Sequence, residues 1–329
     1  MALDRKMTRL AEASPEAIAD AAACLRAGGL VAMPTETVYG LAADATSDAA
    51  VAAIYAAKER PAINPLISHV LDIETAREHA IFGQEAEALA RAFWPGPLTL
   101  VLPAASTCRI TLLARAGLNT VAVRSPSHGT ARALIEAATV PLAAPSANRS
   151  GAVSPTTAAH VVADLDGRVD WILNGGACRH GLESTIVACL SGRPRLLRPG
   201  AIAREAIESI LGSPIDPTSP AGTTPNAPGQ LASHYAPKAE LRLGAAGASE
   251  DEAALDFGSS LKGAAAGTRL DLSPSGDLIE AASHLFSYLR ALDAAGPARI
   301  AVAPIPEHGL GAAINDRLRR AAAPRNVPT

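Results

Sequence analysis

Aromatic side chains are scarce in this chain, at 3% of 329 residues, and there are only four cysteines, none in Cys-x-x-Cys spacing. Scattered at Cys24, Cys108, Cys178 and Cys189, they exclude a disulfide framework or a structural zinc ribbon as the basis of the fold. Long apolar runs are missing as well: no stretch approaches the roughly 20 residues that cross a bilayer. Met1 to Arg9 mixes charges and has no apolar core of a secretory signal, so the expectation is a reduced, cytoplasmic protein with no membrane partner. Charge of one sign is also lacking. A net charge of −3 and a pI near 6.2 argue against a strongly basic surface and against stable nucleic-acid binding. There is no Gly-x-Ser-x-Gly elbow, no His-Glu-x-x-His, no metal-ligand spacing, and no Walker or Gly-x-Gly-x-x-Gly loop. The eight histidines are dispersed, and no serine or cysteine has an evident histidine and acid partner.

What is present is a large apolar fraction, 48%, in alternating helix and strand patterns. Ser14-Pro15-Glu16 predicts an N-cap with proline in the first helical turn, and Ile18, Ala22 and Leu25 share a face until Gly28-Gly29 stops the helix. Strands are predicted at 30–33, 66–70, 98–102, 120–124, 140–144, 171–173, 184–189 and 195–197, and helices at 48–58 and 132–138. This is an α/β pattern with a mixed sheet, ending near Gly212. Residues 213–238 are rich in proline, threonine, serine and glycine and read as a linker. A second α/β pattern fills 239–329, with strands at 240–243, 268–272 and 298–303 and helices at 277–292 and 310–320. It predicts a small parallel-sheet domain.

Short polar clusters stand at the mouths of the apolar runs, where open α/β sheets place their ligand sites. They are Pro34-Thr35-Glu36-Thr37-Val38-Tyr39-Gly40-Leu41, Lys58-Glu59-Arg60 with Asn64-Pro65-Leu66, Trp94-Pro95-Gly96-Pro97-Leu98-Thr99, Pro145-Ser146-Ala147-Asn148, Glu183-Ser184-Thr185, and Leu197-Arg198-Pro199-Gly200. The threonine hydroxyls beside Gly40 equally suit a turn that satisfies its own backbone. Lys58 and Arg60 suit a helix C-terminus, but two cations followed by Asn64 and His69 look more like a phosphate-facing rim. Arg124, closing an apolar strand, is either a paired core ion or a two-pronged carboxylate ligand. Ser154, before Pro155, is placed to cap the next helix. The inventory is rich in donors and poor in bases, which suits anion binding and charge stabilisation over a covalent intermediate.

In this order, the clusters closely resemble the YrdC-type family, specifically its long two-domain threonylcarbamoyl-AMP synthases. The resemblance covers about residues 20 to 205. It is strengthened by Pro228-Gly229 and His234-Tyr235-Ala236-Pro237, similar to the linker signature of that family. It implies a twisted mixed sheet with helices around a concave basic pocket, plus a small Rossmann-like C-terminal domain. It implies an enzyme that condenses L-threonine, bicarbonate and ATP, with Mg²⁺, to threonylcarbamoyl-AMP and pyrophosphate. The product then passes to a separate tRNA threonylcarbamoyl transferase machinery. Carried over residue by residue, the family pattern gives ATP to Lys58, Arg60, Asn64, Thr120, Ser146, Ser154, Arg198 and Tyr235, with Asn148 a further candidate, and catalysis to Lys58 and Arg60. It gives threonine to Thr35 or Thr37, His69, Arg124 and Ser184. Tyr235 would close over the nucleotide from the linker, with the second domain as its anchor, or the linker is a plain tether. An RNA-binding or ribosome-maturation protein of the same fold is the alternative. A carbamoyl transferase of hydrogenase maturation would need Cys-x-x-Cys pairs that this chain lacks.

Overall fold

A computed structural model describes residues 7–61, 64–217, 234–263 and 268–324. In chain order the first unit comprises β1 (Arg9–Glu12), α1 (Pro15–Arg26), β2 (Val31–Met33), β3 (Gly40–Asp44), α2 (Asp48–Lys58), β4 (Ile67–His69), α3 (Ile73–Arg77), α4 (Gln84–Phe93), β5 (Leu98–Pro103), β6 (Thr120–Arg124), α5 (Gly129–Ala138), β7 (Leu142–Ala143), α6 (Ala158–Leu165), β8 (Trp171–Asn174), β9 (Thr185–Ala188), β10 (Arg195–Arg198) and α7 (Arg204–Leu211). The second comprises β11 (Glu240–Arg242), β12 (Glu252–Asp256), β13 (Arg269–Asp271), α8 (Leu278–Ala294), β14 (Arg299–Val302) and α9 (Leu310–Ala322).

The first unit is a ten-stranded mixed sheet in the order β1-β8-β2-β3-β7-β4-β6-β5-β9-β10, and the second is a four-stranded sheet, β11-β14-β12-β13, whose pairs are all parallel. Ser14 caps α1 by accepting from the Ala17 N–H, with proline in the first turn, as its sequence predicts. Capping after Ser154 differs from expectation. Thr157 caps α6, and the Ser154 hydroxyl instead donates to Glu183 at 2.6 Å. The predicted end of the first unit at Gly212 also falls short. Ile215 is buried in that unit's core, and Asp216 bridges Arg195 beside β10. Residues 218–233, with the Pro228-Gly229 half of the linker signature, lie outside the described residues. No helix among the described residues is long and apolar enough to cross a membrane.

Register explains how the sheet presents one continuous functional face. Ile67 and His69 pair with Ala122 and Arg124, Val101 pairs with both Ala122 and Ala188, and Thr99 pairs with Ile186. Directly paired residues point to the same side. One face therefore carries His69, Arg124 and Thr99 at one end, and Ile67, Val101, Ala122, Ile186, Ala188 and Leu197 as an apolar strip in the middle. Leu98, Leu100, Leu102, Val121, Val123 and Val187 point to the opposite face and form the main core with α2 and α4.

The second unit packs on the polar end of that face. Its core incorporates Val38, Val153 and Leu182 of the first unit. A Cβ on Gly181 would lie 2.5–2.6 Å from main-chain atoms of Ala282 and Ser283, so this loop runs directly against α8. Arg290 on α8 pairs with Asp164 on α6 at 2.6 Å and donates to the Val153 carbonyl.

Candidate active site

A cleft opens at the polar end of the face, lined by Thr35, Thr37, Val38, Gly40, Arg60, Ile67, His69, Arg124, Pro145, Ser146, Glu183, Ser184, Arg198, His234 and Tyr235 among others. Local folding explains how several of the clusters reach it. At the end of α2, Glu59 adopts the left-handed conformation (φ 55°), and the Arg60 N–H returns to the Tyr55 carbonyl. This reversal sends the neighbouring cations, Lys58 and Arg60, inward, while Glu59 turns out to Arg168 and Arg149. Gly40 lets β3 pass beside Ala144, with a bridge to Ser146. Gly200 is a close approach on three sides: an added Cβ would sit 2.5 Å from Glu183 O, Ser184 C and Thr185 N, all main-chain atoms. A Gly200→Ala variant is therefore expected to lose at least about 2 kcal/mol of stability, read from urea unfolding. An unchanged midpoint would show that β9 and β10 can part at no cost.

The cleft is cationic. Lys58 is 1% exposed and donates to the carbonyls of Ser146 (2.5 Å) and Asn148. Burial, and then Arg60, hold its ammonium well below its ordinary pKa. Burial pushes Arg60 down to about 10. Neither Lys58 nor Arg60 has a carboxylate within salt-bridge distance among the described residues. The two carboxylates at the cleft are both held by guanidinium groups. Glu36 pairs with Arg124 at 2.6 Å and accepts from the Ser127 N–H, and Glu183 pairs with Arg317 at 2.8 Å. Burial raises both carboxyls, but these partners outweigh it and leave both pKa values lowered. Burial, reinforced for His69 by Arg124 and for His234 by Arg60, depresses both imidazoles to about 3.

Polar atoms left without partners concentrate here. Among the described residues, Arg60 Nε, both carboxamide atoms of Asn64, His69 Nδ1, Asn148 Oδ1 and His234 Nδ1 are buried here with no hydrogen bond, whereas the other two such atoms, Ser68 Oγ on the opposite face beside Val123 and His79 Nε2, lie away from the cleft. Each such group costs about 1–3 kcal/mol unless something satisfies it, so the cluster is built to receive a polar ligand.

The sequence-predicted residues fall into three sets. Thr35, Thr37, Arg60, His69, Arg124, Ser146, Ser184, Arg198 and Tyr235 line the cleft together. Lys58, Asn64, Asn148 and Ser154 are buried just behind its wall. Thr120 is set apart: it lines a separate groove with Asn119, Ser191, Arg193 and Arg195, at the far end of the same face across the apolar strip. Both Thr35 and Thr37 reach the cleft, and their hydroxyls bond each other at 2.8 Å. Arg124 is a paired core ion, with one nitrogen on Glu36 at 2.6 Å, and its side chain lines the cleft.

Several residues at the cleft or bonded to its lining escaped the sequence reading. Glu36, Glu183, Thr99 and His234 stand inside the quoted clusters but received no role. Thr99 and Ser184 share a hydrogen bond of 2.7 Å. Arg317 carries no local signal at all, being one arginine of an amphipathic C-terminal helix. Tyr235 sits in the left-handed region (φ 63°), stacked on Phe286 of α8 with centroids 5.6 Å apart. A non-glycine residue in that conformation stores strain of the kind found at ligand clamps.

Among the described residues no three carboxylate, imidazole or thiol groups meet to hold a metal. With Glu36 and Glu183 already committed, this donor set does not fit a protein-held ion.

Fold and site together define a cationic, donor-rich anion-binding α/β protein with a docked second unit. Comparison with known proteins is specific. Residues 23–200 match the Sua5/YciO/YrdC family, described as "telomere recombination", and residues 202–323 match the threonylcarbamoyl-AMP synthase C-terminal domain. The chain belongs to this family, in its two-domain form. It is 42% identical over 322 residues to the threonylcarbamoyl-AMP synthase of Pyrococcus abyssi, covering 93% of this chain and 94% of that one. It is 48% identical over 235 residues to the enzyme of that name from Bacillus subtilis, covering 69% and 66%. The crystal structure of P. abyssi Sua5 complexed with L-threonine superposes with a TM-score of 0.86 at 39% identity, over 96% of this chain and 97% of that one. Escherichia coli YciO, at 21% identity and a TM-score of 0.52, shares the fold over 60% of this chain.

Proposed function

We infer that the chain is a threonylcarbamoyl-AMP synthase, a nucleotidyltransferase serving tRNA modification, with L-threonine, bicarbonate and ATP as substrates. The observation that carries the reading is the set of buried, unpartnered polar atoms around Lys58 and Arg60, which have no carboxylate within salt-bridge distance among the described residues. That set asks for an anionic ligand with several acceptors, and a triphosphate beside an amino acid supplies them. The relative bound to L-threonine supports the amino-acid half.

Threonine is assigned to the end of the cleft with Arg124, His69, Ser184 and the Thr35–Thr37 pair. The fork of Arg124, oriented by Glu36, would take the carboxylate. Neutral His69 and the hydroxyls would take the side-chain OH, which disfavours analogues without that group. ATP is assigned to Lys58, Arg60, Asn64, Ser146, Asn148, Ser154, Arg198 and Tyr235. Its base would lie along the apolar strip towards Thr120, about 13 Å from Arg124 at the usual rise per strand residue. Amine and bicarbonate give an N-carboxylate and water. A carboxylate oxygen then bonds the α-phosphorus as the bond to the β-phosphate breaks, and pyrophosphate leaves. Lys58 and Arg60 offset charge on the phosphates, and holding three substrates together supplies much of the acceleration. Since the residues do not fit a resident ion, Mg²⁺ would enter on the triphosphate as part of the substrate. The adenylate would be consumed by a separate transferase acting on tRNA.

The test is pyrophosphate release with ATP, Mg²⁺ and bicarbonate, with and without L-threonine. Release that requires both threonine and bicarbonate is expected. Release independent of threonine, or none from folded protein, would overturn the reading.

A further inference from the structure

Arg317 is the largest side chain with no exposure, and it comes from the second unit. Its Nε donates to Glu183 at 2.8 Å, its Nη1 to Asp316 at 2.6 Å and its Nη2 to the Pro199 carbonyl at 2.9 Å. Its guanidinium carbon lies 5.2 Å from the Tyr235 ring centre. Every side of the group is engaged, and Arg317 is not among the residues lining the cleft. Stability alone is a poor reason to bury such a pair, since well-packed apolar residues of similar volume serve as well or better.

Its contacts point elsewhere. Glu183 immediately precedes Ser184, and Pro199 immediately follows Arg198, so one guanidinium fastens the start of β9 to the end of β10. The two oxygens of Glu183 are divided between Ser154 Oγ and Arg317 Nε. Arg198 donates to Ser184, to the carbonyl at 2.8 Å and the hydroxyl at 3.2 Å, while it lines the cleft. Arg198 is also close enough to Glu183 for the two charges to act on each other. Without Arg317, the nearby cation available to Glu183 is Arg198.

We propose that Arg317 is a positioning residue supplied by the second unit: by occupying Glu183 it prevents that carboxylate from capturing Arg198, which then faces the anionic substrate. The proposal rests on the assignment of ATP to this cleft. It gives the second unit a function in the site beyond anchoring the linker, because an electrostatic partner of the cleft comes from α9.

The test is ATP affinity by calorimetry and KM and kcat by pyrophosphate release, in the full chain. Wild-type protein that binds no ATP overturns the ATP assignment and the proposal with it. With wild-type binding intact, Arg317→Met is expected to raise the Kd and KM for ATP about tenfold while the Kd for L-threonine stays within about twofold. Adding Glu183→Gln should return ATP affinity to within about threefold of wild type, since a neutral carboxamide does not capture Arg198. A folded Arg317→Met protein with unchanged ATP affinity overturns the proposal. Where Arg317→Met is too unstable to assay, the double variant decides alone, and a tenfold loss of ATP affinity in it overturns the proposal.

Discussion

Replacing Lys58 with methionine is expected to lower the rate of pyrophosphate release by about a hundred- to a thousandfold, the size of effect seen when a preorganised donor to a charged transition state is removed. Lys58 lies just behind the cleft wall at 1% exposure, and burial holds its ammonium well below its ordinary pKa. Two of its three N–H donors are spent on the carbonyls of Ser146 and Asn148, which aims the third at whatever binds beside Ser146. On the proposed reaction it would couple two tasks, holding residues 145–148 in shape and presenting positive charge to the phosphates. Methionine keeps most of the volume but supplies neither, and two buried carbonyls lose their donors. About 2–3 kcal/mol of stability should go with the activity. Both are measurable on one preparation, by pyrophosphate release and by urea unfolding. A folded variant with near-normal kcat would remove Lys58 from the chemistry and leave it a purely architectural role.

Much of this arrangement is legible in the sequence because strand ends and polar clusters coincide. The strand at Thr120–Arg124 and the helix at Asp48–Lys58 emerge as read, each an uninterrupted pattern with a clear stop. What is not legible has physical causes. β1 has three exposed residues among its four and pairs on one side only, so it carries no apolar alternation to find. β3, Gly40–Asp44, is nearly all buried and small, and Gly-Leu-Ala-Ala-Asp gives no period. β12 hides in an alanine-rich stretch for the same reason. At the site, single clusters reveal donors but not which donor faces which acceptor. Ser154 looks like a helix cap until Glu183, distant in sequence, takes its proton donor. Glu36 and Glu183 carry no readable role until their arginine partners, Arg124 and Arg317, arrive from 88 and 134 residues away. Long-range pairing of this kind leaves no local trace.

Acid should unfold the protein early, and the loss should begin well above the carboxylate range. His69 and His234 are buried, with pKa values depressed to about 3, against about 6.5 in an unfolded chain. The sign follows from which state takes the proton. Below pH 6.5 the unfolded chain binds protons that these imidazoles refuse in the fold, so stability falls continuously towards pH 3. Each contributes a slope of about 1.4 kcal/mol per pH unit, and the two together roughly 5 kcal/mol between pH 6.5 and 4.5. That is comparable to the whole stability of many domains. His160, depressed to about 4, adds in the same direction. Below about pH 4.5 the lowered carboxyls of Glu36 and Glu183 join, because stability from a depressed acid is lost as pH falls through its folded pKa. The histidines cannot escape by ionising in place. His69 faces Arg124 more strongly than Glu36, and His234 faces Arg60, Lys58 and Arg198 as well as Glu183, so a proton on either would join the buried cations of the cleft. Urea unfolding at pH steps from 7.5 to 4.5 measures the slope, and His234→Asn should remove about half of the histidine part. A flat stability profile between pH 6.5 and 5 would mean that both imidazoles accept protons in the fold, and the cleft would then be far less cationic than its geometry requires.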